Sequence, residues 1–512
     1  MFTKTNILIT ALLISAVFIP HTNWSQNENF RLVFAEDVVN SDVHKNTTVA
    51  KGHVEFKHGN TRLFCDSALY FQDSNIVNAY GDVQINQGDT VNLFCDSLIF
   101  NGNTNKSKLL SNVRFRDSEY VMLTDLLDYD GNKSIGAYKN HANISSINSD
   151  LKLTSVKGYY YSTSKTFYFK DSVHIQDPKY ELFADTLEFR TNNSSAHFHG
   201  PTTILFDSST VECNRGIYFS KEERVQLWNG ATLNEPGRSF YADSLLFNQK
   251  TDLGEGFCNV VMYDTAEQVK FMSDYLLKKP QNEELILKDN ARVFQYSEKD
   301  TLYLSGDMIT YQQDTLKNTK LSIIENNVAI INGDNFIRCD SAYFSEADSI
   351  LKLHKNPIIW NGDMQLFADS VFTTYYDGEF HKMFMYQNAM LISARENDSV
   401  HYDQMKGKFM AALLDSSKIK QIRIEQNAQS LYYPEETKTD SAGVEFKMLK
   451  GMDRKECSEI IFRFLDGEIQ KISFIDNPTS VFYPIDQIPP KELFFKGFLW
   501  KIEQKPESPF PE

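Results

Sequence analysis

The stretch LFCDSALYF at residues 63–71 decides the fold, because it recurs along the chain. It returns as LFCDSLIFN from Leu93, LFADTLEFR from Leu182 and FYADSLLFN from Phe240, then as IRCDSAYFS from Ile337 and LFADSVFTT from Leu366. Its Asp falls at 66, 96, 185, 243, 340 and 369, and the gaps are whole multiples of a period of about thirty residues. Degenerate copies fill the intervals at Asp125, Ser155, Asn214, Asp274 and Asp307.

A second element keeps the same phase. It appears as GDVQI from Gly81, SNVRF from Ser111, DSVHI from Asp171, NGATL from Asn229, CNVVM from Cys258, NNVAI from Asn326 and QNAML from Gln387. Read locally, it is a turn followed by the start of an apolar strand, so each unit holds at least two strands. By strict alternation Phe64, Ala68 and Tyr70 share one face of the 63–71 strand, and Leu63, Cys65, Ser67 and Leu69 share the other. Both faces carry bulk, as in strands clamped between layers. No long stretch has the 3.6-residue period, so helix content should be low. The recurring Asp is expected to cap backbone N–H groups freed at a sharp bend, with a small residue beside it for room. The competing reading, a carboxylate ladder for calcium, needs a denser Gly/Asp signature than this chain has.

Hydrophobic residues make up 41% of the 512-residue chain and aromatics 13%, ample for an extended core. The net charge of -16 removes the positive potential that general nucleic-acid binding requires. An anionic ligand would have to be held by its apolar part. The six cysteines form no Cys-x-x-Cys pair, which leaves zinc and thioredoxin-like chemistry without support. Several share one repeat slot with Ala, as small buried residues do. Cys65 and Cys95 could bridge only if their strands are neighbours.

Lys4 and the apolar run 7–19 read as an export signal occupying 1–25, with cleavage near Ser25. An uncleaved anchor is the alternative. No later segment approaches the roughly 20 apolar residues of a membrane-spanning helix. The repeats run through 26–400. Two longer units follow over 401–485, ending in QNAQSLYYP from Gln426 and DNPTSVFYP from Asp476, with 436–456 read as a polar loop between them. The tail, 486–512, carries Phe494, Phe495, Phe498, Leu499 and Trp500 and reads as a strap or a docking segment.

No nucleophile elbow, P-loop or Rossmann glycine set is present. His197 and His199 lie on one strand face without a third ligand nearby, which favours packing over metal binding. Tyr159, Tyr160 and Tyr161 read as sheet packing, with ligand stacking the minority reading. No catalytic residue, cofactor or metal is expected, and the chain is read as a non-enzyme.

The in-phase pairing of small-Asp-x-apolar-x-aromatic with Gly/Asn-Asp/Asn-Val-x-apolar, behind an export signal, resembles the OstA-like/LptA family of periplasmic lipopolysaccharide-transport proteins. The resemblance covers roughly 45–485 and rests on 50–100, 180–190, 240–247 and 337–371. It implies an all-β fold, an extended, twisted β-jelly-roll or solenoid of stacked antiparallel strands. It also implies an apolar groove that shields lipid A acyl chains. Phe64, Tyr70, Phe94, Leu98, Phe100, Phe183, Leu187, Phe189, Leu245 and Phe247 are the expected groove residues. The implied partners are lipopolysaccharide and membrane-anchored jelly-roll proteins joined by edge-strand pairing, in the periplasm or at the outer membrane. The chain departs from single-module members in size, and a dozen units of two strands would reach on the order of 100 Å. A structural or adhesive surface solenoid is the alternative, and a β-helical polysaccharide lyase a more remote one. An adhesin would seal its interior, whereas a conduit would open on one side.

Overall fold

The computed structural model describes residues 29–40, 46–87, 91–280, 283–297, 301–314, 319–376, 379–395, 398–415, 418–439, 445–465 and 468–507. The proposed signal segment 1–25 lies outside them. Among the described residues there is no α-helix, and three short 3₁₀ turns sit near the C-terminus. Thirty-five strands are antiparallel members of one sheet, and two form a separate ribbon. The all-β jelly-roll expectation holds. Contacts group the chain into Met1–Asp150 with Tyr159–Thr163, and Leu151–Gly158 with Ser164–Glu512. Each unit is described by itself.

In the first unit, Thr47–His58, Thr61–Phe71, Ile76–Gln87, Val91–Asn101, Lys106–Arg116 and Tyr120–Asp130 pair in sequence order. Each bends in the middle. Between the first two, Lys51 faces Ser67 and Val54 faces Cys65, so Gly52 and His53 together oppose Asp66. Gly81 and Asp82 oppose Asp96 in the same way, and Ser111 and Asn112 oppose Asp125. All six doubled residues have φ between 39° and 76°. Two successive left-handed residues turn the strand through a corner without ending it. The second sequence element is therefore a corner inside a strand and not a strand start. It favours Gly, Asn, Asp and Ser because these enter the left-handed region at least cost.

Asp side chains pin the corners from the strand behind. Asn112 donates to Asp96 at 2.7 Å, Asn259 to Asp243 at 2.8 Å and Asn290 to Asp274 at 2.6 Å. Asn327 and Asn388 reach Asp307 and Asp369, each at 3.0 Å. At the N-terminal end Glu36 takes the Asp role toward His53, at 2.8 Å. Gly81 leaves no room for a side chain: an added Cβ would lie 2.3 Å from an Asp66 carboxylate oxygen. The expected backbone cap is thus replaced by a side-chain bond from the next strand. The small slot before the Asp does cap the backbone, but a carbonyl. Ser273 donates to the carbonyl of Tyr275 at 2.8 Å, and the Cys339 and Cys457 thiols donate to those of Ser341 and Glu459 at 3.4 and 3.0 Å. Ser155 does the same to Lys157 at 3.0 Å. It occupies this small slot, one residue before the Asp position where the repeat reading put it.

The corner divides every strand into two arms. We call A the arm containing 47–51 and 67–71, and B the arm containing 54–58 and 61–65, with their equivalents along each unit. The bend also resets the alternation. Leu63 and Cys65 of the B arm and Ala68 and Tyr70 of the A arm all point inward, while Phe64 points out. Strict alternation had joined Phe64 to Ala68 and Tyr70, and the bend between them reverses that grouping. The core fills the space between the arms.

The second unit repeats the rule from Thr166–Asp177 to Glu468–Ile475. Some units break at the corner into separate strands, as in Ser195–Phe198 with Thr202–Phe206. Strands of 11 or 12 residues give way to 17 in Glu379–Arg395 and 18 in Asp398–Asp415. Within 436–456, read as a loop, the chain forms the paired ribbon Glu435–Thr439 with Glu445–Leu449 and then enters the sheet at Gly451. Cross-strand ion pairs such as Lys447–Glu435 accompany that polar ribbon. All six cysteines are free. Ile76–Gln87 runs between the strands of Cys65 and Cys95, which separates them by roughly 9.6 Å, too far to bridge.

Gly81→Ala should destabilise the protein by about 1–3 kcal/mol, through the left-handed backbone and the Asp66 clash. Ser273→Ala should cost about 1 kcal/mol for the uncapped carbonyl, and Cys339→Ser, which keeps the donor, should cost less. Denaturant midpoints check all three.

Candidate functional site: the interior and its mouth

Seven of the ten expected groove residues lie inside, all on the A arm: Tyr70, Leu98, Phe100, Leu187, Phe189, Leu245 and Phe247. The other three, Phe64, Phe94 and Phe183, face outward on the B arm. The Arg114 guanidinium sits 4.2 Å over the Phe94 ring, and Phe183 stacks on His174 at 4.5 Å. The B-arm half of the interior is built instead by Phe56, Leu63, Leu93, Leu182 and Phe240. Four of these open a repeat copy or stand two places before the small slot, a signal the alternation argument passed over.

Side chains occupy the interior of the second unit and leave small spaces; one of about 100 Å³ is lined by Met262, Val269, Phe271, Leu285 and Tyr311 with charged groups at its rim. In the second unit Leu233, Phe240 and Met262 of the B arm face Leu245, Phe247 and Gly254 of the A arm, and the space left among them is about 20 Å³. That is room for roughly one water.

The ends of the two arms form a mouth along one side, and polar links cross it. In the first unit Tyr129 of the A arm donates to Gln87 of the B arm at 2.7 Å, and Tyr160 donates to Asp117. In the second, Lys179 meets Glu223 at 2.5 Å, Lys278 lies 3.8 Å from Glu235, and Lys320 meets Glu267 at 2.6 Å. Lys278 also pairs with Asp252 at 2.8 Å, so a cation stands at the rim of the apolar notch. The Lys179 hydrogen bond holds the Glu223 carboxyl below its ordinary value. Burial, with the Asp117 bond second, holds the Tyr160 hydroxyl far above its own. The tyrosine run thus splits: Tyr160 is buried and Tyr159 exposed.

At the N-terminal end of the first unit the mouth takes in an extra group. Phe30, ahead of the first strand, lies edge-on to Phe100 at 4.9 Å and to Tyr70 at 6.0 Å on the A arm. On the B arm it meets His58 at 4.8 Å and Phe56 at 6.2 Å. Its backbone N–H donates to Asn75 at 3.0 Å. An apolar group from outside the stacked strands is thereby held between the arms.

The His pair does not converge: His197 bonds Ser195 at 3.1 Å, and His199 lies 3.9 Å from Glu188. No cluster of three metal-ligating side chains occurs among the described residues. No helix among them is long and apolar enough to cross a membrane.

Residues 33–185 match the family model described as OstA-like protein. That match, together with the bent-strand fold, supports an OstA/LptA-like family assignment. No curated protein matches the chain at a significant level.

Alkaline pH tests the mouth. The folded chain resists ionising Tyr160, so its stabilising contribution is complete below the ordinary tyrosine value of 10.0 and is lost as pH rises above it. Tyr160→Phe should flatten the alkaline limb of a plot of denaturant midpoint against pH.

Proposed function

We propose that the chain is a non-enzymatic periplasmic lipid-binding bridge that takes part in lipopolysaccharide transport to the outer membrane. Acyl chains would lodge between the A and B arms. The observation that carries this reading is Phe30, an apolar group seated between the arms through the same mouth. The OstA-like match over 33–185 supports a lipid as the cargo.

Magnitudes make opening feasible. Each mouth link between partly exposed groups contributes about 0–1 kcal/mol. An acyl chain of about a dozen methylenes contributes roughly 0.8 kcal/mol for each one buried. The arriving chain replaces the cross-arm packing that parting of the arms disrupts. Negative headgroups would meet Lys278 and Arg238 at the rim of the notch, while the acidic surface as a whole gives them no pull. Membrane-anchored jelly-roll partners would add to the terminal strands. Arg31–Phe34 and Thr479–Pro484 lie near the two ends, with Phe34, Val481 and Phe482 exposed.

The filled interior favours a second reading, a structural or adhesive solenoid whose core never opens. Photocrosslinkers placed at Leu98, Leu187 and Leu245 in living cells separate the two. Lipopolysaccharide adducts at these inward positions, and not at Phe64, Phe94 or Phe183, are expected. Absence of adducts at every inward position would leave the solenoid reading standing.

A further inference from the structure

The tail 485–505 lies on the outer face of the B arm in the second unit and joins no strand ladder. Two glutamines with no exposed surface hold it. Gln404 donates to the carbonyl of Leu493 at 2.8 Å and accepts from the N–H of Phe495 at 2.9 Å. Gln365 repeats the arrangement six residues on, donating to Leu499 at 2.6 Å and accepting from Lys501 at 2.8 Å. Each side-chain amide thus reads a carbonyl and the N–H two residues later, as a neighbouring peptide would. Between these two points Phe495 enters a cluster of Met390, Ile392, Tyr402, Leu431, Tyr433 and Met452, and Phe498 and Trp500 pack against it. Arg454 pairs with Glu492 and covers the Phe495 ring at 5.0 Å, and Arg338 donates to the Gln504 carbonyl at 3.3 Å.

The fold does not require this cover. The same outer face upstream, at His174, Phe183, Thr203, Glu212, Thr232 and Tyr241, is an open concavity of about 1030 Å³ with a mixed polar lining. Under the tail, by contrast, the face presents Met390, Ile392, Tyr402 and Leu431 as one cluster, flanked by the two buried amides. Backbone-reading amides combined with aromatic pockets are the chemistry of peptide recognition: main-chain bonds give affinity and alternate pockets give selectivity.

We infer that the B-arm outer face between Arg338 and Arg454 is a peptide-docking site for an extended, aromatic-bearing segment, and that the chain's own residues 493–501 are its intramolecular ligand. The site is separate from the interior between the arms and does not rest on the lipid reading.

The test uses a synthetic peptide of residues 491–505 and a chain lacking 491–512. The peptide should bind the shortened chain and bind the full chain at least about tenfold more weakly, a gap of about 1.4 kcal/mol. Gln404→Leu in the shortened chain should weaken binding by a similar factor. A shortened chain that keeps its strand circular dichroism yet does not take the peptide, or a full chain that binds it equally well, overturns the proposal. If the shortened chain does not fold, the full chain carrying Gln365→Leu and Gln404→Leu decides. Trypsin should then cut after Lys496 and Lys501 at least about tenfold faster than in the parent chain, since release of the docked segment is what admits the protease. Unchanged cleavage overturns the proposal.

Discussion

Everything in this structure depends on one corner, two consecutive left-handed residues held between carboxylates on neighbouring strands. Without it, a strand of eleven or twelve residues would run straight and bury one face. With it, the two halves of the strand fold toward each other and one polypeptide layer supplies both walls of a core. The corner is local, so it can be repeated at every strand, and each repetition positions the next through its Asn–Asp bond. The cost is conformational: left-handed backbone is disfavoured for most residues. Short polar side chains that bond across strands offset it.

Much of this was legible in the sequence, and the reason is physical. The corner demands particular residues at two places in each unit, so both elements recur in phase even where the strands between them have drifted. The all-β class and the stacking followed. The geometry of the corner did not, because Asn-Val and Gly-Asp read locally as a turn between strands. That misreading carried over to the faces, since alternation counted through Asp66 grouped Phe64 with Ala68 and Tyr70 and put Leu63 on the opposite face. The interior assignment therefore captured the A arm, where aromatics follow the Asp at even spacing, and passed over the B arm. The small slot was similarly half read. Cys and Ser share it because each can donate to a carbonyl, and Ala copies disguised this as a requirement for size alone.

Chemistry at a distance in sequence was beyond reach. The links across the mouth join residues such as Gln87 and Tyr129, 42 positions apart in sequence, and nothing local to either residue marks the pairing. Gln365 and Gln404 look like ordinary polar residues until the tail is laid over them. The aromatic tail itself was recognisable as a strap, because it carries bulk without alternation. The interior is mainly apolar, with small hydroxyl side chains such as Ser155 and Ser195 buried among the apolar ones. The links that close its mouth join partly exposed groups and are individually weak.

The docked tail also bears on how the protein comes apart. A stack in which each strand hydrogen-bonds only to its neighbours melts nearly as a one-dimensional array, fraying inward from an end. The tail breaks that pattern. Running from Arg454 back to Arg338, it ties strands far apart in the stack to a single segment. The units under the tail must therefore unfold together, and only after residues 493–501 have let go.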